Sequence, residues 1–467
     1  MNENEQRDTA QENSIKDIKI EIPQKAEQIL DTLHQAGYEA YVVGGCVRDS
    51  ILGRTPGDWD ITTDAKPQEV KKLFRRTIDT GIEHGTVTVM LGRDGYEVTT
   101  YRIDGEYADS RHPKDVTFTA SLREDLRRRD FTINAMAYNQ EEGLIDAFDG
   151  IKDIRRRLIR CVGDPMERFG EDALRIMRAI RFSAQLDYAV EEQTQQAIRA
   201  LAPTLSRISA ERVQTELVKM LCSDHPGRLR DAYEMGITGV VLPEFDRCMQ
   251  TPQNHPHHIY SVGEHIIVSM ENIRADRVLR LTMLFHDVGK PLTVSEDEKG
   301  IHHFYGHAAK SAELTHEIMQ RLKFDRETMT RVCNLVRYHD LYIGQDSTPA
   351  DVRMAVYEVG EKDFPLLLEV KRADMLAQSM YQRDSKEAVL AQVQRMYEDI
   401  LKAGECLSLK QLSVRGQDLI AAGISPGKEL GGVLHAMLME VLRHPERNTP
   451  EYLMEPSHLK KYRARVV

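Results

Sequence analysis

Tryptophan occurs once in this 467-residue chain, and the six cysteines (46, 161, 222, 248, 333 and 406) form no CxxC pair. Their scatter excludes a zinc ribbon or a disulfide framework and reads as reduced thiols in a core. No apolar run approaches the roughly 18 residues that a membrane helix needs. The polar start, MNENEQRDTAQENSIKD, lacks the apolar centre of a signal peptide. Residues 1–24 therefore read as a disordered leader, and the chain as cytoplasmic with no membrane partner. Overall positive charge is missing too, since the formal net charge is −11. That balance does not exclude nucleic acid, because local clustering decides. Arginines cluster at 127–129, at 155–157 and at 175, 178 and 181, and Lys460, Lys461, Arg463 and Arg465 make a basic end. The remaining composition, 41% hydrophobic and 29% charged, is that of a globular protein long enough for about two to four domains. Oligomeric state is left open.

Residues 25–150 alternate helix and strand. Residues 25–36 are helical in pattern, EAYVV (39–43) is β-rich and ends at Gly44-Gly45, and CVRDSILG follows as a short helix. WDIT (59–62) reads as a strand, and Pro67 suits the first turn of a helix over QEVKKLF. TVTVML (86–91) and YEVTTYR (96–102) alternate at period two, with Arg93-Asp94-Gly95 as the hairpin turn between them. The polar segment from Ile103 to Thr117 reads as a mobile loop. After Gly150 the apolar period is helical almost throughout. The expected architecture is an α/β head (25–150) on an all-α body, which divides into a neck (151–250), a His-rich bundle (251–345) and a tail (346–467).

Asp58 and Asp60 flank Trp59. On a strand, residues i and i+2 share a face, which sets the two carboxylates side by side and turns Trp59 into the core. Paired hard oxygen ligands suit Mg²⁺ carried with a nucleoside triphosphate. Two such ions can clamp the attacking and leaving oxygens of an in-line phosphoryl displacement. Upstream, Gly44-Gly45 lets the backbone approach phosphates, the next helix offers free N–H groups, and Arg48 adds a guanidinium fork. Glu97 is a candidate third carboxylate. Asp172, Arg175, Arg178 and Arg181 are spaced by three, so on one helix they line a face or drift slowly around it. An Asp can accept from the amino group of cytosine or adenine while an Arg donates to the neighbouring ring nitrogen. Uracil and guanine present the opposite order, leaving buried groups unpaired at roughly 1–3 kcal/mol each. One Asp–Arg pair can therefore choose C and A without a nucleic-acid template.

YVVGGCVRDSILGRTPGDWDIT (41–62) closely resembles the head of the class II tRNA nucleotidyltransferase and bacterial poly(A) polymerase superfamily, whose fold is of the polymerase-β type. LRRRDFTINAMAYN (126–139) and GEDALRIMRAIRF (170–182) resemble two further motifs of that family, and the likeness runs over residues 35–245. It implies Mg²⁺-dependent nucleotide addition to an RNA 3′ end. Asp58 and Asp60 are then catalytic and hold the ion, and Gly45, Arg48, Arg129, Asp172, Arg175, Arg178 and Arg181 bind the nucleotide. The pattern Thr80-Gly81 with His84-Gly85-Thr86 looks like the CCA-adding branch, whereas poly(A) polymerases carry a strongly basic stretch there. The implied partners are tRNA, CTP and ATP; an A-only tRNA enzyme or a poly(A) polymerase is the alternative. Residues 418–453 resemble the tail of CCA-adding enzymes, which implies contact with the tRNA body by shape and backbone.

HIYSVGEHI, LTMLFHDVGK, HFYGHAAKSAEL and LVRYHD resemble the HD superfamily, in which His and carboxylate side chains from separate helices converge on one or two divalent ions. The resemblance implies a first metal site of His265, His286, Asp287 and Asp340, a second ion on His307 and His339, and Lys290 near a phosphate. Such sites activate water for phosphoester hydrolysis, and relatives are attributed phosphatase or phosphodiesterase activity on 2′,3′-cyclic and 2′-phosphates. A reading of another class follows: an HD phosphohydrolase whose head only binds RNA.

Overall fold

The computed structural model describes residues 18–104 and 116–464. The middle of the expected 103–117 loop and most of the expected leader lie outside these residues. The chain folds as two compact units, Met1–Val241 and Leu242–Val467. Among the described residues no helix is long and apolar enough to cross a membrane.

The first unit opens on packed chain. Ile20 and Ile22 are buried, so the end of the expected leader belongs to the core. Helix α1 (Gln24–Gln35) buries Ala26, Ile29, Leu30 and Leu33, the i, i+3, i+4, i+7 stripe of an amphipathic helix. Strand β1 (Ala40–Val43), helix α2 (Gly45–Ile51), strand β2 (Ile61–Thr63) and helix α3 (Pro67–Leu73) follow, then β3 (Thr77–Gly81), β4 (Thr86–Leu91), β5 (Asp94–Thr100), β6 (Met136–Asn139) and β7 (Gly143–Asp146). These strands form one seven-stranded mixed sheet in the order β3-β4-β5-β2-β1-β6-β7. β1 is buried at every residue, as its near-continuous apolar run requires of a central strand.

Three local expectations are corrected. The strand expected at 59–62 begins only at Ile61, with Asp58 to Asp60 as an extended lead-in. The hairpin turns at Gly92-Arg93, not 93–95, because Leu91 pairs with Asp94 and Gly92 supplies φ 72, the left-handed first position of a two-residue hairpin. The ends of the expected loop pair with each other, Arg102–Asp104 against Val116–Phe118.

Beyond Gly150 the unit is mostly helical. Helix α4 (Pro165–Glu171), helix α5 (Leu174–Leu186) and helix α6 (Ala210–Leu221) matter most for the site. The second unit is nearly all helix. Helices α7 (Val262–Glu271), α8 (Arg277–Phe285), α9 (His307–Arg321), α10 (Arg326–Tyr338) and α11 (Phe364–Leu376) carry the His-rich motifs or pack beside them, and a short hairpin joins Ser295–Glu296 to His302–His303. The later helices close on their own core around Val356, Leu367, Met437 and Leu442.

Candidate functional site

The first unit's carboxylates are gathered by sheet register. β2 runs parallel to β5 with Ile61 opposite Val98, so the residues just before them, Asp60 and Glu97, lie side by side on one face. Asp58, Trp59, Asp60, Thr88 and Glu97 line one open cleft of about 780 Å³. Trp59 is half-buried and walls that cleft; it does not turn into the core, because the chain has not yet entered the strand at this point. Burial raises the Asp60 carboxyl and Asp58 raises it further, against the pull of Arg129. Burial likewise raises Glu97, with Asp60 and Asp58 adding repulsion. Asp60 and Glu97 are held above the usual carboxylate range, and the hard oxygens of the cluster fit Mg²⁺.

Arg129 is the guanidinium that pulls on Asp60, and Arg93 lines the cleft itself. Gly44 has φ 83, which side chains rarely adopt, so the turn requires glycine, and Arg129 Nη1 lies 3.0 Å from where a Cβ would stand. Arg129 lies near Asp125 at 3.6 Å, and its buried Nε has no hydrogen-bond partner among the described residues. Gly45 opens α2 beside Arg48. Arg48 itself is buried and committed: it donates to both Asp49 oxygens at 2.9 Å and to Asn134 Oδ1 at 2.6 Å.

The base-reading set is arranged differently from the expected single helical face. Arg175, Arg178 and Arg181 do share α5, but Asp172 is extended between α4 and α5, accepting from Leu174 N at 2.9 Å. Arg212 of α6, not Arg175, donates to Asp172 Oδ2 at 2.8 Å. Arg175 turns to Glu171 Oε2 at 2.6 Å and to the Arg128 carbonyl at 2.9 Å. Arg178 donates to Asp130 at 2.7 Å, and Arg181 pairs with Glu216 at 3.1 Å. Although burial opposes it, Arg178 holds the Asp130 carboxyl down at about 2. Burial, then Arg178, lowers Arg181 to about 10. The guanidinium carbons of Arg48, Arg178 and Arg181 all lie over the Phe182 ring, at 5.0, 5.4 and 4.2 Å, so one ring meets three cations.

In the second unit, two histidine pairs face a shared aspartate. His265 Nε2 lies 3.2 Å from His286 Nε2 and 2.8 Å from Asp374 Oδ1. His307 Nε2 lies 3.2 Å from His339 Nε2. Asp287, only 1% exposed, sits between them. Its Oδ2 is 3.4 and 3.3 Å from His265 and His286, and its Oδ1 is 3.4 and 3.6 Å from His307 and His339. Three of the imidazoles place Nδ1 within 2.8 Å of a backbone carbonyl three residues earlier: His286 to Met283, His307 to Phe304 and His339 to Val336. Donation there fixes the tautomer and leaves Nε2 a lone pair for a metal. Neither Asp287 oxygen has a well-directed hydrogen bond, although Lys290 Nζ forms an ion pair with Oδ2 at 2.7 Å. Burial opposes a charged His286, yet Asp287 and Asp374 lift it to about 10. The donor set fits two divalent cations, one within His265, His286 and Asp374 and one within Asp287, His307 and His339.

Asp340, expected to complete the first site, is exposed and lines the adjoining cavity without joining either group. Asp374 stands in its place. It lies 109 residues beyond His265, in a helix whose sequence carries no histidine motif. Arg212 was missed for the same reason: only the fold brings it to Asp172.

A cleft of strand-end carboxylates beside a glycine turn, backed by a helix of arginines, defines a nucleotidyltransferase head. Residues 40–160 match the "Poly A polymerase head domain", residues 187–249 the "Probable RNA and SrmB- binding site of polymerase A", and residues 292–456 the second domain of tRNA nucleotidyltransferases. The CCA-adding enzyme of Levilactobacillus brevis is 36% identical over 89% of this chain and 93% of its own length. That of Lactobacillus helveticus is 36% identical over 91% of this chain and 94% of its own. The Bacillus stearothermophilus CCA-adding enzyme in complex with CTP has a similar fold, with a TM-score of 0.69 and 29% identity, covering 94% of this chain and 98% of that one. The chain belongs to the CCA-adding enzyme family.

Proposed function

We infer that this protein adds CCA to the 3′ end of tRNA from CTP and ATP, without a nucleic-acid template. The observation that carries the reading is the parallel register of β2 and β5, which sets Asp60 beside Glu97 in the Asp58 cleft, within a chain of this family. Asp58, Asp60 and Glu97 would hold Mg²⁺, which would supply positive charge for deprotonation of the RNA 3′-hydroxyl and for the charge building at the α-phosphate. The 3′-oxygen then bonds to the α-phosphorus as the bond to pyrophosphate breaks. Arg129, with its free buried Nε, meets the triphosphate over the Gly44 turn. Asp172 and Arg175 select C and then A, with Arg212 holding one Asp172 oxygen in place. Incubating a tRNA that lacks its last three nucleotides with each NTP, and with CTP and ATP together, tests this. Growth by C, C and A, stopping there, is expected. Addition of A alone marks an A-only enzyme, and long A tails on generic RNA mark a poly(A) polymerase. Incorporation of U or G as readily as C and A removes the selection claim.

A second reading rests on Asp287 standing between the two histidine pairs: the second unit is a metal-dependent phosphohydrolase. His265, His286, Asp287 and Asp374 hold one divalent ion and His307 and His339 share Asp287 toward a second, which would supply Lewis-acid activation of water. Lys290 is close enough to meet a substrate phosphate. Phosphate release that needs a divalent ion, survives Asp58→Asn/Asp60→Asn and is lost in His286→Ala/Asp287→Ala is the expected result. Release that disappears with the head variant overturns it, as does its absence from the intact protein.

A further inference from the structure

Asp287, His307 and His339 line a cavity of about 310 Å³ that Phe304 and Tyr305 also line. Tyr305 lines that cavity yet is 77% exposed. Its ring lies flat on His303, with centroids 5.3 Å apart and planes 7° apart. His303 is held at both ring nitrogens, Nε2 by Asp297 at 3.1 Å and Nδ1 by the Tyr305 hydroxyl at 3.4 Å. The pair is therefore a fixed two-ring slab whose outer face is in water. Lone exposed aromatics are common on surfaces, but this one is braced from behind and opens on a site built for divalent ions. One residue, Gly306 in the left-handed region (φ 76), separates Tyr305 from His307. Two residue steps span at most about 7 Å of backbone, and Tyr305, His307 and Asp287 line the same cavity, so one ligand can meet the ring and the cluster together.

We propose that the Tyr305–His303 slab is the base-stacking platform of the second unit, holding the nucleobase of a nucleotide phosphate ester while its phosphate lies at the Asp287 cluster. This rests on the reading of that unit as a phosphohydrolase and assigns the residues that give it a preference for nucleotides over plain sugar phosphates. Stacking on an aromatic ring reads a π-face and not an edge, so the preference follows stacking strength, purines ahead of pyrimidines. The loss of one such stack, about 1–3 kcal/mol, corresponds to roughly 5- to 150-fold in affinity.

The test compares adenosine 2′-, 3′- and 5′-monophosphates with ribose 5-phosphate on the full chain loaded with Mn²⁺. Wild type, Tyr305→Ala and Tyr305→Phe are measured for equilibrium binding and for phosphate release. For the adenosine esters that wild type hydrolyses, Tyr305→Ala should weaken binding and raise KM about 5- to 150-fold with kcat kept. Ribose 5-phosphate should be unmoved, and Tyr305→Phe should restore the adenosine values. An equal effect on adenosine and ribose phosphates, or no effect on either, overturns the platform. If wild type releases no phosphate from any ester, the hydrolase reading falls by itself. The difference in adenosine monophosphate binding between wild type and Tyr305→Ala then still decides: a loss upholds the platform, equality ends it.

Discussion

The two units handle charge in opposite ways. In the first, Asp58, Asp60 and Glu97 line an open cleft, where burial and mutual repulsion raise Asp60 and Glu97. In the second, His265, His286 and Asp287 are buried, His307 and Asp374 are half-buried, and three Nδ1 positions are tied to carbonyls. A repelling, open carboxylate cluster suits an ion that arrives and leaves with a triphosphate. A closed set with fixed tautomers suits a resident ion. The comparison teaches that the same class of ligand atoms can make a site that waits for its substrate or one that is complete beforehand.

The largest effect should come from removing one open-cleft carboxylate. Asp60→Ala is expected to lower CCA addition by orders of magnitude while leaving tRNA affinity within a few-fold, as for a group that acts in the chemical step and not in binding. Single-turnover extension alongside a binding titration separates the two. A parallel fall in binding and rate would mean that Asp60 shapes the cleft and not the chemistry.

The resident-ion half of the comparison is tested by stability. An ion that binds only the folded state at a hundred times its Kd adds about 2.7 kcal/mol. Mn²⁺ should therefore raise the melting temperature of the second unit, and a chelator should reverse it. Asp374→Ala should remove most of that rise and Asp340→Ala little of it, because Asp374 joins the His265–His286 pair and Asp340 joins neither group. Equal losses in the two variants would return Asp340 to the site. The same titration on Asp58→Asn/Asp60→Asn should leave the rise intact.

How far each site could be read in the chain follows from sequence distance. Asp58 and Asp60 share one short segment, and Asp287 follows His286 directly, so period and motif alone group them as candidates. The helical run after Gly150 was equally plain. What stayed hidden was set by tertiary contact. Asp374 reaches His265 across 109 residues, and Arg212 reaches Asp172 across 40. Trp59 was assigned to the core by strand alternation, but the strand starts at Ile61, and alternation has no force on the lead-in. Asp172 was placed on the Arg175 helix by spacing alone, whereas its carboxylate accepts from the Leu174 N–H and breaks the helix there.

The smallest expected effects concern pH, and here two carboxylates of one head should move stability in opposite directions. Asp130 is lowered to about 2 in the folded chain. A depressed carboxylate contributes stability that is complete above its unfolded value near 3.8 and is lost as pH falls through about 2. The shift corresponds to about 2 kcal/mol, so Asp130→Asn should melt earlier than wild type at pH 7, with the gap closing as the pH falls from 4 toward 2. Asp60 has the opposite sign. Its folded value is raised by burial and by Asp58, so its charge opposes folding above the folded value, and protonation relieves it as pH falls. Asp60→Asn should therefore melt slightly later than wild type at neutral pH, and that advantage should vanish in acid. Added Mg²⁺ should shrink it too, because a bound cation does for the charged cluster what the substitution does without one. If Asp60→Asn is instead less stable at neutral pH, the carboxylate is making favourable contacts of its own, and the open cleft is not the repelling cluster that sets it apart from the closed site of the second unit.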